Sequence, residues 1–101
     1  MRDLLREGMI YFEERRFFDA HEAWEDLWRR TSPGPARLFY QGLIQGAVGL
    51  YHLSRGNRNG ARAQLTKAIA KLELPPPERC PIDAARILDQ LRKTLESLGV
   101  H

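Results

Sequence analysis

Apolar residues recur along this chain every three to four positions, which is the period of an α-helix. No stretch alternates apolar and polar residues with the β-branched enrichment typical of strands. Breakers rich in proline, glycine, serine and asparagine interrupt the helical pattern. The pattern therefore predicts five helices, at about residues 3–15, 18–30, 36–55, 59–72 and 81–98.

These five helices predict an all-α fold, a compact bundle that forms one domain over residues 1–101. Short breakers favour antiparallel neighbours, so the first four helices are expected to form two antiparallel helical hairpins. The hairpins span residues 3–30 and 36–72. The C-terminal helix, residues 81–98, is expected to begin near Pro81 and to close the bundle.

The two predicted hairpins resemble each other at a spacing of 41 residues. A small residue at such positions lets two helices approach closely, and a large one fills the seam beyond it. The pattern is similar to that of tetratricopeptide repeats, but two units are fewer than a solenoid needs. The favoured interpretation is two packed hairpins. The register superimposes Gly8 on Gly49, Ala20 on Ala61, and Trp24 on Leu65.

A polar stripe runs along the third predicted helix, which is otherwise apolar around most of its circumference and is therefore expected to be central. The stripe consists of Gln41, Gln45 and His52, within about 40° of one another on the helix. Polar groups on a buried helix need partners. His21 and Glu25, one turn apart on the second helix, are the natural ones. These five residues are predicted to form a polar seam.

Different roles for this seam stay open. The leading one is a buried hydrogen-bond network that sets the helix register. The alternative is a catalytic or metal site, in which His21, Glu25 and His52 act as acid–base groups or hold a divalent cation. The usual zinc helix has a second histidine where this chain has Glu25. The candidate ligand-binding residues are Glu22, Trp24, Trp28, Gln41 and Gln45, although tryptophans at this spacing are more often core.

Charge is unevenly distributed along the chain, although the net charge is only +3. Residues 1–28 carry eight acidic and four basic side chains, whereas residues 29–72 carry eight basic and no acidic ones. Such segments can pair within the fold or across a homodimer. They also favour an anion or nucleic-acid site at Arg55, Arg58 and Arg62, near a helix start. This interpretation ranks last because no nucleic-acid-reading motif is present.

Cysteine content and hydropathy argue against a disulfide-bonded, secreted or membrane-spanning protein. The single cysteine, Cys80, excludes an internal disulfide and fits a reducing compartment. The longest uncharged stretch, residues 38–54, is shorter than the roughly 20 residues of a membrane span. The charged start is unlike a secretory signal. A cytoplasmic protein with no membrane segment is expected.

A motif in the second helix resembles a known family. The segment His21 to Trp28 reads H-E-x-W-E-x-x-W, and it is followed by a Tyr40–Gln45 segment and the Gly56-Asn57 turn. Over about residues 5–72 these features resemble domain of unknown function 309, an uncharacterised bacterial and archaeal family. The resemblance implies a compact helical domain without an assigned activity. The matching motif positions are His21, Glu22, Trp24, Glu25, Trp28, Gln41, Gly42 and Gln45.

The sequence thus predicts a protein of unknown function, and it ranks three roles. The first is a small helical interaction or scaffold domain whose partner is another protein or a second copy of the chain. The second is a metal-dependent or acid–base enzyme with its site between the second and third helices. The third is a binder of anions or nucleic acid through the basic region around the third and fourth helices.

Overall fold

Five α-helices and no strand make up the described part of the computed structural model, residues 3–78 and 80–99. This confirms the all-α prediction. Within those residues, none of the helices has the length and apolar character needed to cross a membrane. The helices are α1 (Leu4–Glu13), α2 (Phe17–Arg29), α3 (Pro35–Ser54), α4 (Arg58–Leu72) and α5 (Ala84–Ser97).

The start of α5 is set by a side-chain cap. The Asp83 carboxylate accepts a hydrogen bond from the backbone N–H of Arg86 at 3.1 Å, and the helix begins at Ala84. The sequence pattern placed this start near Pro81, because proline is favoured in a first turn. The cap decides the position instead, since it satisfies an N–H that the helix leaves without a partner.

The central element is α3, which packs against both α2 and α4. Helices joined by short connections pack together, α1 with α2 and α3 with α4, and α5 packs on α4. One continuous core runs through all five helices. The largest fully buried side chains are Trp24, Phe39, Leu43, Leu65, Ile87 and Leu91.

The two hairpins have the same turn, displaced by the predicted 41 residues. In each turn one residue adopts a left-handed conformation, Arg15 with φ 62° and Gly56 with φ 79°. The N–H of the next residue, Arg16 or Asn57, donates at 2.8 Å to the carbonyl five residues before it. This is the usual way to satisfy the last carbonyls of a helix, and glycine is the residue that adopts it at least cost.

The predicted glycine pairs are also present. A Cβ on Gly49 would lie 2.9 Å from Cδ2 of Leu65, and a Cβ on Gly8 would overlap the indole of Trp24. Trp24 is fully buried, and its Nε1 donates to the Leu5 carbonyl at 3.1 Å. Trp24 is therefore a core residue, which corrects the expectation that it contacts a ligand.

Candidate functional site

Glu25 lies between two basic side chains on the outer side of α2. Its Oε2 is 2.6 Å from Nε2 of His21, and its Oε1 is 2.6 Å from Nη2 of Arg29. The spacing of four residues in each direction puts the three groups on one side of the helix. The His21 and Glu25 side chains are only 24% and 31% exposed. The short distances on both sides of the Glu25 carboxylate hold the His21 ring and the Arg29 guanidinium next to it.

His21 forms part of the wall of a cleft between the start of α2 and the end of α3. The cleft has a volume of about 230 Å³. The Phe18 ring is half exposed, and its centroid lies 5.6 Å from that of Tyr51 and 5.7 Å from that of His21. The structure thus brings His21 and His52 to one partly apolar surface. The lining residues are Phe18, His21, Val48, Tyr51 and His52.

The other members of the predicted polar seam lie elsewhere. The side-chain carbonyl of Gln45 accepts a hydrogen bond from Nζ of Lys71 on α4 at 2.9 Å. Gln41 lines a separate cavity near the start of α3. Among the described residues no polar or charged side chain is fully buried. The prediction of a buried network is therefore wrong: because packed helices cross at an angle, one stripe on α3 meets different neighbours along its length.

The predicted set of three metal ligands is not assembled. Across residues 3–78 and 80–99, no three side chains of histidine, cysteine, aspartate or glutamate are placed to hold a metal ion. Both carboxylate oxygens of Glu25 already contact partners one turn away on α2, His21 and Arg29. His21 and His52 share a cleft, but Glu25 is directed along its own helix and does not complete a coordination sphere with them.

A second cavity, of about 180 Å³, lies at the opposite end of the α2–α3 pair. The Arg37 guanidinium lies 3.9 Å above the Trp28 ring, and its Nε donates to the Trp28 carbonyl at 3.3 Å. This cation–π contact and hydrogen bond hold the wall of the cavity in place. Trp28 and Gln41, both predicted to bind a ligand, are thus brought to one site. The lining residues are Trp28, Pro33, Gly34, Arg37, Leu38 and Gln41.

The arginines predicted to bind an anion do not form one free cluster. Nη2 of Arg58 donates to the Leu98 carbonyl at 2.9 Å, and Nη2 of Arg62 donates to the Leu98 and Gly99 carbonyls at 3.3 and 3.4 Å. The two side chains satisfy carbonyls at the end of α5, where a helix leaves them without partners. Arg55 is exposed and separate from these contacts. Arg58 and Arg62 therefore have a structural role that corrects the expected anion site.

Sequence reasoning did not identify three apolar side chains that line the two cavities, and only one of them carries a signal in the sequence that predicts exposure. Phe18 lies on the polar side of α2 next to the exposed Glu22, and a large apolar residue in that position is a recognisable signal. Leu38 and Tyr51 carry no such signal, because α3 is apolar on most sides and they resemble core positions. Only the packing of α2 on α3 places them at the surface cavities.

The part of the chain that carries both cavities matches a known protein family. The domain of unknown function DUF309 matches residues 5–64, which is more than half of the chain. The chain belongs to this family. The family predicted from the sequence is thereby confirmed, and its description assigns no activity. The match contains all of α2, all of α3 and both cavities described above.

Two curated relatives of this chain are longer proteins. The chain is 30% identical over 86 residues to the uncharacterized protein YpuF of Bacillus subtilis (strain 168), covering 83% of the chain and 49% of YpuF. It is 29% identical over 98 residues to an uncharacterized protein of Aquifex aeolicus (strain VF5), covering 95% of the chain and 28% of that protein. The chain thus spans half or less of the length of these curated relatives.

A solved structure shows a similar fold. It is the crystal structure of the conserved hypothetical protein TTHA0068 from Thermus thermophilus, with 30% sequence identity and a TM-score of 0.75. The similarity covers 90% of this chain and 94% of that one. The five-helix arrangement is therefore shared by a protein of nearly the same extent.

Proposed function

We propose that this domain binds protein through one surface, the α2–α3 face. The face consists of the cleft at Phe18, the second cavity at Leu38, and the exposed ridge of α2 that carries Glu22 and Arg29 between them. The observation that carries the proposal is the half-exposed Phe18 ring at an apolar cleft. A large aromatic group in such a place costs free energy in water, and a partner that covers it recovers that cost.

The size of the cavities favours a protein partner over a free metabolite. Their volumes are about 230 and 180 Å³. Pockets for small molecules usually measure about 300–1,000 Å³, and they bury most of the ligand. A cavity of the smaller size accepts one side chain. Single side chains anchored in small pockets dominate the binding energy of many protein interfaces.

The chemical composition of the face supports the same function. Phe18 is 50% exposed and Leu38 is 40% exposed, and charged residues of α2 lie between them. Apolar and aromatic anchors with a charged surround are typical of protein interfaces. The longer curated relatives also support it, because an interaction domain is useful as one part of a larger chain. We further propose a cytoplasmic location, which the single thiol of Cys80 favours.

Peptide selection with NMR mapping tests this function. Peptides displayed on phage are selected against the folded domain, and enriched peptides are titrated into the ¹⁵N-labelled protein. We expect amide shift changes at the cleft and the second cavity. The variant Phe18→Asp should weaken binding at least about tenfold. Ile10→Asp changes an equally exposed apolar residue on α1, away from this face, and should leave binding unchanged.

The mapping also defines what would contradict the proposal. Enriched peptides that shift residues around Ile10 and tolerate Phe18→Asp would place the binding surface between α1 and α5. Failure to enrich any peptide, in a selection run at a concentration where the chain is monomeric and with both variants folded by circular dichroism, would likewise count against a protein-binding face.

A further inference from the structure

The exposed ridge of α2 carries its side chains in a definite order. Phe18 comes first, the acidic Glu22 follows one turn later, and the basic Arg29 lies near the end. All three are exposed and lie on the outer side of the helix. The start of the ridge is thus apolar and acidic, and its end is basic. Two such ridges placed antiparallel bring unlike charges together.

We propose that the partner bound by the α2–α3 face is a second copy of this chain, in a two-fold dimer with antiparallel α2 helices. The proposal rests on the function proposed above and names its partner. With the two-fold axis between Glu25 and Asp26, Glu22 of one copy lies opposite Arg29 of the other. Each lies three and a half residues from that axis, so both pairs form at once.

The carboxylates nearest the axis do not oppose this arrangement. Glu25 contacts His21 and Arg29 on its own helix, both at 2.6 Å. Asp26 accepts two hydrogen bonds from Arg30, at 3.1 and 3.2 Å. Paired carboxylates of this kind repel their neighbours less than isolated ones. Arg29 keeps its Nη2 contact with Glu25, and because its side chain is 64% exposed, the same guanidinium is also accessible to Glu22 of the other copy.

The apolar features of the face match in the same symmetry. Phe18 lies at the start of α2, and the second cavity lies at the end of α2 and the start of α3, so antiparallel packing brings the start of one α2 next to the end of the other. Phe18 of one copy therefore approaches the second cavity of its partner. By the same two-fold relation, Leu38 of the partner approaches the cleft of the first copy. Each copy offers a projecting side chain and a cavity at both ends of the face, as an isologous interface requires.

Sedimentation velocity with charge-swap variants tests the dimer. The full chain is measured from about 1 to about 200 µM at low and high salt. We expect a dimer that weakens as salt increases. Phe18→Asp, Glu22→Arg and Arg29→Glu should each weaken it at least about tenfold. The double variant Glu22→Arg/Arg29→Glu restores both pairs between the copies but loses the contact of Arg29 with Glu25 on its own helix, so it should associate more tightly than either single charge variant and less tightly than the original.

Several results would overturn the dimer. A chain that stays monomeric at the highest concentration would do so, as would a double charge swap no better than the single variants. Ile10→Asp serves as the control, and an equal loss with this variant would place the contact elsewhere. Circular dichroism of each variant separates loss of association from loss of folding.

The two proposals fail in different ways. A monomer whose selected peptides still map to the α2–α3 face overturns the dimer and leaves the protein-binding function in place. A dimer that persists in Phe18→Asp overturns the proposed dimer, because that dimer does not use this face. The protein-binding function is overturned only when the selected peptides also avoid the α2–α3 face.

Discussion

Gly8 on α1 is the glycine at which an added methyl group should lower the free energy of unfolding most. The Trp24 indole lies directly against it, and a Cβ on Gly8 would come within 2.5 Å of Cδ1 and 2.6 Å of Cε2. The indole cannot move aside easily, because it is fully buried and its Nε1 donates to the Leu5 carbonyl. Its ring also packs on Phe12, with centroids 5.7 Å apart. Gly8→Ala therefore forces α1 and α2 apart.

The expected loss follows from three terms. Overfilling a packed core costs about 1–3 kcal/mol. Separation of the helices also breaks the hydrogen bond of Trp24 and leaves a buried donor, which costs about 1–3 kcal/mol. Alanine is a better helix former than glycine and returns about 1 kcal/mol. We expect Gly8→Ala to lower the free energy of unfolding by about 1–5 kcal/mol, which for a chain of this size reduces Tm by roughly 5–25 °C.

Urea unfolding followed by circular dichroism measures this loss in a double-mutant cycle. Trp24→Leu removes the rigid ring that the new methyl group would meet and replaces it with a side chain whose end can shift aside. In that background Gly8→Ala should cost at least about 1 kcal/mol less than in the parent chain. Ala63→Gly, at an exposed site on α4, calibrates the alanine–glycine difference. Additive losses, or a gain in stability from Gly8→Ala alone, would refute the reasoning.

Three further outcomes follow from single contacts. Arg15→Gly should raise the free energy of unfolding by about 0.5–1 kcal/mol, because the left-handed φ of 62° costs a glycine little; an unchanged urea midpoint would show that this strain is absent. Burial raises the pKa of Tyr40 above 10.0, so its share of stability is complete below pH 10 and is lost as the pH rises through the folded value. The urea midpoint should therefore fall above about pH 10 and fall less in Tyr40→Phe, and equal pH profiles would contradict this. Arg58→Ala and Arg62→Ala should each cost about 1 kcal/mol and speed amide exchange at the end of α5, whereas Arg55→Ala should do neither; an equal effect of all three would speak against the cap.

Local sequence determined much of this protein. The helical period and the breakers located five helices, and the 41-residue register superimposed the two hairpins, whose turns and glycine contacts match at that spacing in the structure. Each of these features depends on residues a few positions apart, because helix periodicity and capping act within one or two turns. The H-E-x-W-E-x-x-W segment was enough to predict the family, and the match over residues 5–64 confirmed it.

Tertiary structure alone decided how the site is arranged. The direction of the Gln45 side chain depends on the angle at which α3 crosses its neighbours. That angle places Gln45 next to Lys71 on α4, and the two side chains form a hydrogen bond. Arg62 finds its carbonyl partners 36 and 37 residues away, at a helix end whose place in space no local pattern encodes. Side-chain direction at a helix contact is set by crossing angles and by competition among neighbours. For that reason the structure has, in place of the predicted buried seam, a surface cleft that His21 lines and in which the Phe18 side chain is half exposed.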